Sequence, residues 1–240
     1  MPVLHFLRHT PCATLLGVQL AGVVLYPFME DTSAGQPLLA LFGLIVLALA
    51  LRAVRATPAI FWVAGTLALP AVGLLLAQAV TGEEELAHWA AGFEAALYFY
   101  AAGALLRYMY ADHEVTTDEL FAIGAVFTLL AWAFAHTYVV LQALDPNGFA
   151  GPGGGGDLSW TQLLFLSITT LSSTGLSDIY PVGAHARSVS MLEQMAGLFY
   201  IAMVVTRLVG MRTARTAARD AALAEAAQAR KDAEGSAEDG

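Results

Sequence analysis

Apolar residues gather in six long runs, at roughly residues 13–29, 37–54, 58–80, 87–110, 118–143 and 188–210, with polar residues collected between them. A bilayer core takes about 20 apolar residues per helix, so each run predicts a transmembrane helix. The first four are apolar nearly all round, and each is expected to touch lipid or other helices. Pro37 and Pro58 stand where a first helical turn tolerates proline, and Thr57 can cap the third run. Thr117, Asp118 and Glu119 open the fifth run, with acid at the positive end of the helix dipole. Pro70 is expected to kink the third helix. The first run is long and lacks a small-residue cleavage site, so it reads as a span rather than a signal peptide. Frequent Gly and Ala suit close helix packing in a membrane.

The link between the fifth and sixth runs has a different texture. GFAGPGGGGDLS, Gly148 to Ser159, reads as a flexible surface turret or spacer. WTQLLFLSITTL, Trp160 to Leu171, is apolar but too short to span, and Asp157 or Ser159 can cap it. It predicts a re-entrant half-helix. LSSTGLSDIYP, Leu171 to Pro181, then adds a small, hydroxyl-rich loop before the last apolar run. Non-helical backbone at membrane depth is tolerated only where it is buried in protein or lines a watery path. A half-helix running inward would aim its negative end at the membrane centre, which favours a cation there. Beyond Gly210 the chain becomes Ala-rich and charged, predicting a soluble helix or solvated tail whose end, GSAEDG, reads as disordered.

Composition agrees with a bilayer as solvent: 58% of residues are hydrophobic and 13% charged, where soluble domains carry about a quarter charged. The net charge of -9 comes without a basic patch, so nucleic acid is not an expected partner. The single cysteine, Cys12, excludes an internal disulfide and gives no zinc pattern. If both termini are cytoplasmic, Arg187 is the one external residue among the 11 Lys and Arg. That asymmetry sets a multi-pass orientation in a bacterial-type plasma membrane, with the LSSTGLSDIYP stretch on the outer side.

These residues resemble the pore domain of potassium channels. Aligned back from Asp178, S-S-T-G-L-S-D lies over the family's T-T-V-G-Y-G-D, with only the glycine and the aspartate identical. The order of half-helix, T-rich approach, G-x-x-D, proline and R-S helix start also matches, as does a glycine, Gly197, at the family's inner-helix hinge. The resemblance covers helices five and six; helices one to four match only a six-span layout. It implies a homotetramer whose backbone carbonyls replace the ion's water shell. Ser173 would keep the innermost hydroxyl. Thr174, Gly175, Leu176 and Ser177 would supply carbonyls. Asp178 would form an acidic ring at the outer mouth, or pin the loop by a hydrogen bond.

Two departures change the expectation. Ser177 stands for a glycine of positive φ, a conformation that costs a serine about 1 kcal/mol or more. Leu176 replaces a tyrosine anchored by its hydroxyl, and the cuff positions Phe165 and Leu166 are apolar too. An apolar cuff fixes the filter's diameter less sharply, so the inner sites are expected to survive while the outer ones widen and potassium selectivity relaxes. Potassium, with sodium as a second candidate, is the expected permeant ion; no cofactor and no other metal is expected.

Helix four carries only Arg107, near its cytoplasmic end, so no arginine-based voltage sensor is expected. Glu94, His136 and Glu193 lie inside spans and are either functional or hydrogen-bonded packing residues; Glu193 is placed to brace the loop, and His136 could make gating depend on pH. A metal site at His5 and His9 is less favoured than an interfacial helix. No protease or hydrolase motif is present, which argues against an enzyme, and a single interrupted segment argues against a transporter built on repeats.

The expected fold is thus an all-α membrane protein with six transmembrane helices, a re-entrant half-helix between the fifth and sixth, and tetrameric assembly. Residues 1–112 form a peripheral four-helix domain, 113–210 the pore domain and 211–240 a cytoplasmic tail, with no soluble ligand-binding domain. The expected activity is passive conduction of monovalent cations. The alternative is a non-conducting or regulatory membrane protein on a degenerate channel fold.

Overall fold

A computed structural model describes residues 10–30, 35–55, 61–111, 117–152 and 158–238. The apolar runs become helices: α1 Pro11–Glu30, α2 Gly35–Arg55, α3 Phe61–Thr81, α4 Glu84–Ala111 and α5 Thr117–Leu144. After the two-residue strand β1, Phe149–Ala150, come α6, Trp160–Leu171, the strand β2, Tyr180–Pro181, and the helix α7, Ala184–Glu238. Pro37 falls in the first turn of α2 and Pro70 inside α3. His5, His9, Thr57, Pro58 and Asp157 lie outside the described residues.

Three helices among the described residues are long and apolar enough to cross a membrane: Glu85–Tyr110, Asp118–Leu144 and Ala184–Gly210. The first and third runs form helices whose apolar stretches, Pro11–Tyr26 and Trp62–Gln78, are shorter. The chain divides into a unit Met1–Phe199 and a unit Tyr200–Gly240. Within the first, α4 packs on α3 and α5, α1 packs on α2 and α5, and α6 lies against α5. In the second, the helix continues to Glu238. It takes in Gly235 to Glu238, part of the stretch whose composition predicts disorder.

The start of α5 has a second task. Asp118, expected to complement its own helix dipole, accepts the Cys12 backbone N–H at 3.1 Å. It therefore satisfies one of the free donors at the start of α1 as well.

Above α5 and α6 the chain is tied by a small antiparallel ribbon, Phe149 opposite Pro181 and Ala150 opposite Tyr180. The Gly148 carbonyl also accepts from the N–H groups of Val182 and Gly183, at 2.9 Å each. Beneath the ribbon Tyr138, Phe149, Leu163, Leu166, Ile179 and Ala186 form one buried apolar cluster. The turret is thus not a free spacer at its base: it is anchored to the segment that leaves the hydroxyl-rich loop.

Candidate ion-conduction site

The half-helix α6 begins with a complete capping box. Ser159 accepts from the Gln162 N–H at 3.3 Å, and the Gln162 side chain accepts from the Ser159 N–H at 2.8 Å. Gln142, on the last turns of α5, bonds both backbone groups of Leu158, at 2.9 and 3.1 Å. The entry to α6 is therefore fixed by three polar side chains in an apolar setting.

At the other end the loop folds back onto the helix. The Thr169 carbonyl accepts from the N–H groups of Thr174 at 3.0 Å and Gly175 at 3.1 Å. The Thr174 hydroxyl reaches the same carbonyl at 3.3 Å and lies 3.0 Å from the Ser172 hydroxyl. This wrapping needs two residues in the left-handed region: Ser173 at φ 58° and Gly175 at φ 63°. Gly175 meets that demand at no steric cost.

The strain expected at Ser177 lies instead at Ser173, the one non-glycine residue of positive φ among the described residues. Ser177 escapes it by turn chemistry that a glycine lacks. Its hydroxyl oxygen accepts the Ile179 N–H at 3.1 Å, while its own N–H donates to the Gly175 carbonyl at 3.1 Å.

The expected cuff does not close within one chain. Leu166 is packed away in the apolar cluster, whereas Phe165 is 44% and Leu176 78% exposed. Ser173, Thr174 and Gly175 are also exposed. Asp178 is exposed beside them.

Behind the loop stand the two inner-helix residues singled out by the sequence. Glu193 is fully buried and is hydrogen-bonded to the hydroxyls of Tyr138 of α5 and Ser167 of α6. It holds the half-helix rather than the loop itself. Gly197, one turn on, lies against the end of α6, where a Cβ would overlap the Leu171 carbonyl. Tyr138 and Ser167 were missed by the sequence reading; both occupy apolar stretches where a lone hydroxyl gives little signal.

Glu94 and His136 also meet. His136 Nδ1 lies 3.5 Å from Glu94 Oε2, within an aromatic cluster in which the Trp160 ring contacts both Trp132 and His136. Tyr26 of α1 stacks on Trp160 at 4.3 Å. Helix α1 therefore touches the first residue of the half-helix. No group of three or more His, Cys, Asp or Glu capable of holding a metal occurs among the described residues.

Residues 120–213 match a protein family described as Ion channel. Neither a curated protein nor a solved structure matches the chain. The matched segment contains nearly all of α5, the ribbon, α6, the hydroxyl-rich loop and the membrane-length part of α7. Channels of this family are not an enzyme class. Residues 120–213 are thus similar to an ion-channel family, which agrees with the resemblance of their filter-like sequence to the potassium-channel pore-domain superfamily.

Proposed function

We propose that the chain is one subunit of a homotetrameric channel that passively conducts monovalent cations. The observation that carries this is the loop Ser173–Leu176: it is exposed on the single chain although it follows a capped helix set among membrane-length helices. Backbone of this kind at membrane depth must be covered by protein or line water. Four copies around an axis do both, and closed symmetry makes Phe165 and Leu176 contacts between neighbours. The hydroxyls of Ser173 and Thr174 and the carbonyls of Thr174 to Ser177 then face the axis, with Asp178 at the outer mouth.

In this reading all six apolar runs span, both termini are cytoplasmic and the plasma membrane is the site of action. Potassium is the main permeant ion, with sodium admitted by an outer filter that lacks the tyrosine anchor. Helix α4 supplies no voltage sensor, and gating involves the inner helix near Gly197 and around Arg207 to Met211. The Gly175 carbonyl supports a second reading, a non-conducting assembly, because it already accepts the Ser177 N–H. Potassium flux into liposomes containing protein of tetrameric native mass tests the first against the second. Flux supports conduction; a tetramer that passes no ion from either side supports the alternative.

A further inference from the structure

Counting protons around Glu193 leads further. Three short contacts join its neighbourhood: Tyr138 Oη to Glu193 Oε2, Ser167 Oγ to Glu193 Oε1, and Ser167 Oγ to the Ala131 carbonyl at 2.8 Å. Tyr138 brings one hydroxyl proton and Ser167 one. Tyr138 spends its proton on Oε2. Ser167 then faces two acceptors, a carboxyl oxygen and a backbone carbonyl, with a single proton between them. Both contacts are hydrogen bonds only if a third proton is present, and among the described residues the group placed to carry it is Glu193.

The surroundings point the same way. Glu193 is 0% exposed and has no salt-bridge partner among the described residues. Helix α6, WTQLLFLSITTL, contains no ionisable residue. On α5, Tyr138 faces it, and the basic group of that helix, His136, is engaged with Glu94. On its own helix Ser190 touches the Tyr138 hydroxyl. A bare carboxylate here would be a buried charge held by two hydroxyls and no cation, an arrangement that burial strongly disfavours.

We infer that Glu193 keeps its proton and donates it to Ser167 Oγ, and that this bond fastens the inner helix to the half-helix carrying the loop. The relay is then complete: Tyr138 donates to Glu193, Glu193 to Ser167, and Ser167 to Ala131. Every hydroxyl proton has one acceptor. Glu193 is a positioning residue, acting on the loop through α6. Its part in conduction rests on the channel reading, but its protonation does not.

The test is infrared spectroscopy of the purified protein at neutral pH, wild type against Glu193→Gln, with Glu94→Gln as control for the other buried acid. The glutamine mimics the neutral acid: its amide N–H can donate to Ser167 and its oxygen can accept from Tyr138. The expected result is loss of a protonated-carboxyl C=O band in Glu193→Gln that Glu94→Gln retains. Glu193→Gln should also keep the wild-type assembly and melting temperature, while Glu193→Ala loses melting temperature. Loss of a carboxylate band instead, or a Glu193→Gln protein as impaired as Glu193→Ala, overturns the inference. Should the wild type carry no ion, the infrared and melting results still decide it.

Discussion

Gly197 of the inner helix lies directly against the Leu171 carbonyl at the end of the half-helix, with no room for a Cβ between them. The helix runs through this point without a break. The glycine is thus required for close approach, whatever bending it also permits. In a free helix, replacing it by alanine would stabilise by about 1 kcal/mol. Here the added methyl must displace backbone, and overpacking costs about 1–3 kcal/mol. Gly197→Ala should therefore lower the melting temperature of the detergent-solubilised protein. A raised melting temperature would show that the contact is slack.

The two serines of the loop should answer glycine in opposite directions. Ser173 sits at φ 58°, so Ser173→Gly relieves about 1 kcal/mol of backbone strain and raises the melting temperature. It also removes the innermost hydroxyl proposed to hold an ion, so conduction should fall as stability rises. Ser177→Gly removes the acceptor of the Ile179 N–H and relieves no left-handed strain, so it should destabilise. Melting curves of the two variants with the same sign of shift would contradict this description of the loop.

Ser159 carries the capping box of the half-helix. Ser159→Ala should destabilise by about 1 kcal/mol, and Ser159→Asp or Ser159→Asn by much less, since either can accept the Gln162 N–H. Gln162→Ala should lose part of the same energy. A double-mutant cycle measured by thermal melting should therefore show the two losses to be less than additive. Strict additivity would mean that the two caps act independently.

Glu94 and His136 bridge α4 and α5 beside Trp160. His136 Nδ1 is buried with no hydrogen-bond partner among the described residues and has Glu94 Oε2 as a charged neighbour at 3.5 Å, so replacing either alone leaves the other buried polar group without that contact, at about 1–3 kcal/mol. The double change Glu94→Leu with His136→Phe removes both and should recover most of the loss. Single and double variants can be compared by melting temperature in detergent. A double variant as unstable as the sum of the singles would show that the pair does not interact.

Much of the frame was legible from periodicity and length. The fifth run, 118–143, became Thr117–Leu144, and the twelve-residue half-helix fell at Trp160–Leu171. Both are long-range consequences of a local property, apolar length between polar breaks. The last helix starts earlier than its apolar run, at Ala184, because its first turn is polar and lies beyond the hydrophobic stretch. The Ser159–Gln162 box was present in the spacing S-x-x-Q and could have been found there. What spacing cannot show is which partner a side chain meets. Leu166 lies in the apolar cluster beneath the ribbon rather than against Leu176, sharing it with Phe149 of β1 and with Ile179, which precedes β2. The left-handed turn moved from Ser177 to Ser173 because the loop wraps the Thr169 carbonyl, a contact invisible to alignment with a filter motif.

The most direct test of the central claim is single-channel recording from the purified protein in planar bilayers, with potassium on one side and sodium on the other. The account predicts cation currents whose reversal potential lies between zero and the value set by potassium alone, as the filter lacking a tyrosine anchor at Leu176 admits both ions. A tetramer that conducts neither ion would contradict the channel reading. A reversal potential set by potassium alone would contradict the relaxed filter while leaving the channel intact.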